Sequence, residues 1–200
     1  YVLSDILGKT MNQGGKREGA NMFELDWNHP DLMRFLYAKR EDGEISAANV
    51  SVTVDHEFFD AYKSEGEERF FPLRNPHYDP KNRPHIPEFY SEEQLKQSLE
   101  VIKMNKKAKI SMLIDEDGET ILSPWLHEGM DEEYRKIGKI NNGTVYLDAK
   151  KVMKHLAFNS WYNGEPGMII TGHINDNNPT HPKHYEEFLL EGKTDEAIQV

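Results

Sequence analysis

Cysteine is absent from the 200 residues of this sequence, so disulfides, thiolate metal sites and cysteine nucleophiles are excluded for the chain. No apolar run reaches the length of a membrane span and no signal peptide opens the sequence, so we expect a cytoplasmic protein with no membrane partner. Cations are also scarce, because 24 lysines and arginines stand against 35 acidic residues and leave a formal net charge of -11. This acidic balance argues against nucleic acid as a partner.

Short apolar strands that lead into helices dominate the first third of the chain. Helical spacing is present over residues 2–12, and the segments 20–26 and 49–54 are typical of short strands. Helices that alternate with such strands indicate a parallel α/β sheet or barrel. In sheets of this kind, ligands collect at the carboxyl ends of the strands and in the loops that follow them.

Polar residues are predicted to cap the helices that follow these strands. Pro30 suits a first helical position, with Asn28 or His29 as the cap, and this helix is predicted to reach about Lys39. Asp55 is predicted to cap the next helix. Four aromatic residues are expected to lie in the core rather than form a stacking platform for a ligand: Phe58, Phe59, Tyr62 and Trp161.

The pattern changes over residues 75–138, which we predict to be an α+β module inserted into the domain. The proline-dense stretch at residues 70–90 is predicted to be an extended surface excursion. Ser91 and Gln94 have the spacing of a capping box at the start of a helix. Residues 109–122 (KISMLIDEDGETIL) predict a β-hairpin that turns at an Asp-Gly pair.

Near residue 140 the α/β pattern returns. A short strand is predicted over 144–147, Asp148 is predicted to cap a helix, and a buried strand is predicted over 168–171. The polar C-terminal region includes a predicted helix at 183–191. The apolar stripe of the helix after Asp148 is predicted to contain Val152, Met153, Leu156, Ala157 and Trp161.

One glycine-rich turn has the chemistry of an anion site. Gly14 and Gly15 let backbone N–H groups approach an oxyanion, and Lys16 and Arg17 supply positive charge. The spacing matches neither a Walker loop nor a dinucleotide fingerprint. On spacing alone, a helix stop followed by a solvated basic pair is the favoured interpretation.

Two further clusters contain side chains that are able to bind metal ions. His173, His181 and His184 lack rigid helical spacing and a carboxylate partner at a fixed distance, so solvent-exposed histidines are favoured. The acidic cluster in the predicted hairpin lacks the calcium-loop pattern, and a charged hairpin tip explains it. We therefore predict no metal site. The members of this acidic cluster are Asp115, Glu116, Asp117 and Glu119.

Three stretches, in this order, resemble the large catalytic subunit of ribonucleotide reductase. The first, QGGKREGANMFELDWNHPDLMRFLYAKR, spans residues 13–40 and combines a Gly-Gly-basic turn, a strand and a His-Pro-Asp helix start. The second, NVSVTVDHEFFDAY, spans residues 49–62. The third, GTVYLDAKKVMKHLAFNSWYNGEPGMIITGHINDNNPT, spans residues 143–180. The sequences of the three stretches are most similar to those of the adenosylcobalamin-dependent class.

The resemblance implies that residues 1–200 are an internal part of the ten-stranded α/β barrel of these reductases, with residues 75–138 inserted in it. It also implies a role in reducing ribonucleotides to deoxyribonucleotides for DNA synthesis. The implied partners are a ribonucleotide substrate, a deoxynucleotide effector, the remaining reductase segments and a second copy of the chain. Adenosylcobalamin is implied for the complete enzyme, although no residue of this chain is identified as binding it.

The resemblance also gives the polar loop at residues 40–48 a role. In that family the corresponding loop relays effector identity to the choice of substrate base, and Gly43 suits a loop that must rearrange. On the residues alone, a mobile surface connection without a ligand is preferred. The turn Gly14, Gly15, Lys16 and Arg17 becomes a candidate phosphate-proximal turn. The implied specificity-loop residues are Arg40, Glu41, Asp42, Gly43, Glu44, Ile45, Ser46 and Asn49.

The sequence also departs from that family. The family's chemistry uses a thiyl radical and a redox cysteine pair, and this chain has no cysteine, so the isolated chain is predicted to be inactive. Glu18 stands where that family more often has arginine or glycine. An alternative prediction is a non-catalytic nucleotide-binding or assembly domain derived from the same fold.

Overall fold

The computed structural model describes residues 21–39, 48–104, 113–114, 120–122 and 136–176. The strands are β1 (Asn21–Asp26), β2 (Ala48–Val54), β3 (Phe70–Pro72), β4 (Leu113–Ile114), β5 (Thr120–Leu122), β6 (Lys136–Asn141), β7 (Thr144–Asp148) and β8 (Gly167–Ile170). The α-helices are α1 (Leu32–Leu36), α2 (His56–Lys63), α3 (Glu92–Met104), α4 (Ala149–Asn163) and α5 (Thr171–Asp176). A short 3-10 helix covers Gly66–Arg69.

The first sheet is parallel and contains the two strands predicted in the first third of the chain. Its order is β1-β2-β8, and Val52 pairs with Leu25 on one side and with Met168 on the other. Central β2 is rich in β-branched residues and buried along most of its length, as its sequence predicts. The α/β prediction is therefore confirmed, but the described parallel strands form an open three-stranded sheet and no closed barrel.

The second sheet is antiparallel, in the order β3-β7-β6-β5-β4. The hairpin predicted over 109–122 is present as the β4–β5 pair, in which Leu113 pairs with Leu122, although its turn lies outside the described residues. The excursion predicted from residue 70 is wrong at its start. Phe71 is buried in β3 and pairs with β7, and Leu73 directly after it is also buried, because apolar side chains take these positions into the core.

One hydrophobic core includes residues of both sheets. At its centre the rings of Trp27, Phe58 and Phe71 meet edge to face, with centroid distances of 5.4 Å for Trp27–Phe58 and 4.6 Å for Trp27–Phe71. Trp27 follows β1, Phe58 belongs to α2 and Phe71 to β3. The aromatic cluster thus joins the parallel sheet to the antiparallel one.

Helix α1 is shorter than predicted, because it ends at Leu36 rather than near Lys39. Tyr37 leaves the helical conformation, and its buried hydroxyl lies 2.5 Å from His155 Nδ1 of α4. Tertiary packing of Tyr37 thus overrides the helical pattern of the sequence. The predicted start of α1 is also wrong, because the helix begins at Leu32 with Asp31 as its N-cap, and not at Pro30 with Asn28 or His29 as the cap. His29 Nδ1 instead accepts a hydrogen bond from the Asp31 backbone N–H at 3.0 Å, just before the first helical residue.

The caps predicted for the longer helices are confirmed. Asp55 accepts a hydrogen bond from the Phe58 N–H, and Asp148 accepts from the first-turn N–H groups of α4. Ser91 and Gln94 form the predicted capping box with hydrogen bonds of 2.9 and 3.2 Å. These local signals fix where helices begin independently of the sheet beside them.

Several predicted core positions are wrong. Trp161 is 79% exposed, Tyr62 is 39% exposed and Ala157 is also exposed, whereas Phe58 is fully buried. Strand β8 was expected to be buried, yet Met168 is 40% exposed, because β8 lies at an edge of the described sheet. The buried face of α4 is instead formed by Ala149, Val152, His155, Leu156 and Asn159.

The insertion proposed for residues 75–138 contains α3, β4, β5 and the first residues of β6. Two residues from this range, Leu95 and Ile137, are buried in the common core. The assignment of the range as an insertion stays a prediction. The predicted helices at 2–12 and 183–191, together with the acidic cluster of the hairpin turn, lie outside the described residues.

Candidate functional site

The candidate site is the base of the segment 40–47, where the structure describes both residues that flank it. Lys39 Nζ donates a hydrogen bond to the Ala48 carbonyl oxygen at 2.7 Å, so the two ends of the segment are tied directly to each other. The same ammonium lies 2.7 Å from Glu165 Oε2. A single cation therefore joins the end of the α1 region, the start of β2 and the turn before β8.

Glu165 and Asn163 extend these contacts. Glu165 Oε2 also accepts the Val50 backbone N–H at 3.1 Å, and Asn163 Nδ2 donates to the Lys39 carbonyl at 3.1 Å. The Glu165 N–H in turn donates to Asn163 Oδ1 at 3.2 Å. We call the set Lys39, Ala48, Val50, Asn163 and Glu165 the loop clamp.

The end of α4 positions the clamp. Gly164 has φ +81°, and this left-handed conformation, which favours glycine, ends the helix and turns the chain toward β8. Asn163 and Glu165 flank that glycine, so both side chains lie beside the first residues of β2. Sequence reasoning missed Glu165 because it assigned the Gly-Glu-Pro-Gly segment only to a turn.

Most predicted site residues lie outside the described part of the chain. These are the turn Gly14, Gly15, Lys16 and Arg17 and the loop residues Arg40, Glu41, Asp42, Gly43, Glu44, Ile45 and Ser46. Asn49 is described: it belongs to β2 with an exposed side chain and is paired in register with Met22 of β1. It lies between Ala48 and Val50 of the clamp, so the structure does bring one predicted site residue next to the loop base.

A second polar group lies at the carboxyl ends of β1 and β2, where ligands collect in α/β sheets. Thr53 Oγ1 donates to Asp26 Oδ1 at 2.5 Å, and the Trp27 N–H donates to the Thr53 carbonyl at 3.0 Å. His29 follows on the next turn. Burial lowers the pKa of His29 below its usual value, the nearby carboxylates of Asp31 and Asp26 oppose this shift, and the neighbouring His77 adds a smaller contribution that lowers the pKa.

The lowered pKa of His29 predicts a pH dependence of stability. Below about 6.5 the unfolded chain binds a proton at this position that the folded chain resists, so the free energy of unfolding falls as the pH drops through this value. Denaturant unfolding of wild type and His29→Gln at pH 7.5 and 5.0 measures this loss, and the variant should lose less. His85→Gln removes an exposed histidine and is the matched control. Identical pH dependence of wild type and His29→Gln would contradict the prediction.

Two histidines and an aspartate lie close together at α2 and α5. His56 Nε2 lies 2.7 Å from Asp176 Oδ2, and the ring centroids of His56 and His173 are 5.5 Å apart. His173 is exposed, as predicted, whereas His181 and His184 lie outside the described residues. Within the described ranges, no group of three or more His, Cys, Asp or Glu side chains has an arrangement that could hold a metal ion.

None of the helices in the described part of the chain combines the length and apolar character that crossing a membrane requires. The cytoplasmic location stays a prediction.

Comparisons with known proteins identify the family. The family model described as "Ribonucleotide reductase, barrel domain" matches residues 3–188. A protein named "Vitamin B12-dependent ribonucleoside-diphosphate reductase" from Thermoplasma acidophilum is 46% identical over 57 residues. That match covers 28% of this chain and only 7% of the relative. Because the family model spans nearly the whole sequence and agrees with the α/β fold, the chain belongs to the ribonucleotide reductase barrel-domain family.

Proposed function

We propose that this chain is part of the catalytic subunit of a ribonucleotide reductase that forms deoxyribonucleotides for DNA synthesis. The observation that carries the proposal is the match of the barrel-domain family to residues 3–188, a range that includes β1, β2 and the segment between them. The similarity to a vitamin B12-dependent relative supports the adenosylcobalamin-dependent class. Within this protein, residues 75–138 are proposed to be an insertion.

We further propose that segment 40–47, with Asn49, relays the identity of a deoxynucleotide effector to the choice of substrate base. Arg40 is able to pair with a phosphate or stack on a base. The acidic residues Glu41, Asp42 and Glu44 repel phosphate and must turn away from it. The relay requires an effector site between two subunits, so a homodimer is part of the proposal, with the turn that contains Gly14, Gly15, Lys16 and Arg17 near phosphate.

The chemistry assigned to the family needs groups that this chain does not supply. Hydrogen abstraction from the ribose requires a thiyl radical, and the sequence has no cysteine. None of the residues of this chain is assigned to binding adenosylcobalamin. The cofactor, when bound by the complete enzyme, supplies radical chemistry. This chain contributes strands, the loop base and the specificity segment.

Reconstitution tests the proposal. The pure chain, given adenosylcobalamin, a dithiol and ribonucleotides, is expected to form no deoxyribonucleotide, and the chain combined with the remaining reductase segments is expected to form it. Turnover by the pure chain contradicts the assignment of the radical chemistry to other segments. An assembly that binds deoxynucleotides without turnover favours the non-catalytic domain instead.

Two loop variants test the relay in the reconstituted enzyme. Gly43→Val restricts the backbone of the segment, and Arg40→Ala removes its cation, so each is expected to reduce effector-dependent base selectivity by about fivefold or more. The measurement is the ratio of two deoxynucleotide products with and without effector. Lys81→Ala, an exposed change in the turn region outside the segment, is the control. Unchanged selectivity in both variants contradicts the relay.

A further inference from the structure

We infer that Lys39 and Glu165 are positioning residues that fix the two ends of segment 40–47 and so control its effector response. This inference rests on the proposed function of the segment. It goes beyond that function because it assigns control of the loop to a side chain of the α4–β8 turn, 115 residues from Val50 in the sequence.

The geometry concentrates three contacts on one cation and one carboxylate. Lys39 Nζ donates a hydrogen bond to the carbonyl of Ala48, the first residue of β2, and also forms an ion pair with Glu165. Glu165 Oε2 holds the Val50 N–H in the same strand. The two residues that flank segment 40–47, Lys39 and Ala48, are therefore connected to each other by a side-chain hydrogen bond as well as by the backbone of the segment.

Glu165 also completes the edge of β2. The pairing of β2 with β8 begins at Ser51 and Gly167, so the Val50 N–H lies just before the first paired residue. The Glu165 carboxylate accepts this N–H, so the donor is satisfied by a side chain one residue before the strand pairing begins. A carboxylate that accepts a backbone N–H and a lysine forms charge-assisted contacts, which are stronger than neutral hydrogen bonds.

The Lys39–Glu165 pair is one of the two ion pairs of the described ranges that are well protected from solvent. Its side chains are 17% and 21% exposed, and those of Arg69–Asp148 are 33% and 4% exposed, whereas every other described pair has at least one side chain that is 53% or more exposed. In the Lys139–Glu67 pair, for example, Glu67 is 82% exposed. Replacing Lys39 or Glu165 with a neutral residue leaves the other charge without its partner and with little access to water, so such a substitution should weaken the loop clamp strongly.

Asn163 adds a second restraint on the same point. It donates to the Lys39 carbonyl and accepts the Glu165 N–H, so it couples the backbone at the start of the segment to the turn that carries the carboxylate. Any movement of segment 40–47 that shifts Lys39 or Ala48 must break these contacts or move the α4–β8 turn. The clamp thus limits the effector response to rearrangements between fixed ends.

The test uses the chain assembled with the remaining reductase segments and the variants Glu165→Gln and Lys39→Met. Two readouts are compared with wild type: the rate at which glutamyl endopeptidase cleaves after Glu41 and Glu44, and the effector-dependent product ratio. Both variants are expected to be cleaved faster and to change the ratio by about fivefold or more. Lys139→Met removes an ion pair whose carboxylate is exposed and is expected to keep both wild-type values.

The conservative variant Lys39→Arg provides the rescue. It keeps a cation that is able to donate to the Ala48 carbonyl and to pair with Glu165, so its cleavage rate should lie nearer to wild type than that of Lys39→Met. A Lys39→Arg rate equal to that of Lys39→Met overturns the inference.

The remaining outcomes separate the clamp from the proposed function. If Glu165→Gln and Lys39→Met are cleaved faster but keep the wild-type product ratio, the contact is merely structural and the inference is overturned. Cleavage at the wild-type rate in both variants also overturns the inference. If the assembled wild-type protein forms no deoxyribonucleotide, the proposed function fails. The cleavage comparison then decides the clamp by itself, with faster cleavage of Glu165→Gln supporting it and equal rates overturning it.

Discussion

Replacing Phe58 with alanine is expected to lower the free energy of unfolding by about 3–5 kcal/mol. The Phe58 side chain is fully buried in α2, and its ring makes edge contacts with Trp27, Phe59 and Phe71 at centroid distances of 5.4, 5.9 and 6.2 Å. The variant loses apolar burial, leaves a cavity and removes these aromatic contacts. Chemical denaturation followed by tryptophan fluorescence measures the change, since Trp27 lies in the cluster.

Phe59→Ala is the matched control for this experiment. It makes the same chemical change one residue further along α2, where the side chain is only partly buried against the core. Its cost should be clearly smaller than that of Phe58→Ala, because less apolar area is removed from water on folding. Equal losses for the two variants would show that Phe58 does not occupy the central position that the structure gives it.

The same cluster explains how core packing supports the candidate site. Trp27 follows β1 and Phe71 lies in β3, so Phe58 holds the parallel sheet against the antiparallel one. Strand β2 packs in the same core and begins at Ala48, where segment 40–47 returns. A variant that loosens this core should therefore loosen the loop base as well, which is why stability must be measured beside any effect on selectivity.

Sequence reasoning succeeded where the signal is local. The cap at Asp55 and the Ser91–Gln94 capping box depend on residues three or fewer positions away, and both are present in the structure. Strands β1 and β2 were also predicted within about one residue. Their apolar and β-branched residues match a buried parallel sheet, whichever strands lie beside them.

The wrong predictions concern residues whose place depends on distant partners. Trp161 fits the apolar stripe of α4, but no described element covers that face, and the buried positions include His155 instead. His155 is buried because Tyr37, which lies 118 residues earlier, reaches its ring nitrogen. Helical periodicity gives the faces of a helix and does not decide which face meets the sheet.

The candidate site shows the same division. The resemblance to the family predicts a role for segment 40–47, and this stays a prediction, whereas no local pattern in the sequence identifies the contact of Glu165 with Lys39 and Val50. The carboxylate reaches Val50 and Lys39 only after α4 ends at Gly164 and β8 pairs with β2. A contact made by folding three separate elements together is invisible in a single sequence without its structure.

The second large expected effect is at Asp148, where Asp148→Ala should lower the free energy of unfolding by about 2–4 kcal/mol. Its Oδ1 accepts the backbone N–H groups of Lys150 and Lys151 at 3.0 and 3.4 Å, and this cap satisfies two donors at the start of α4. Its Oδ2 lies 3.0 Å from Arg69 Nε in an ion pair that is not an aligned hydrogen bond. Alanine removes the cap and leaves Arg69 without its carboxylate.

Two variants separate these contributions. Asp148→Asn keeps an oxygen for the cap and loses the charge, so its free energy of unfolding should fall between those of the wild type and Asp148→Ala. Asp31→Ala is the control, since Asp31 precedes α1 without a side-chain cap and is exposed, and its cost should stay within about 0.5 kcal/mol. Because α4 carries Asn163 and leads to Glu165, Asp148→Ala should also speed cleavage after Glu41 and Glu44. A stable Asp148→Ala protein with wild-type cleavage would show that the start of α4 does not support the loop clamp at its end.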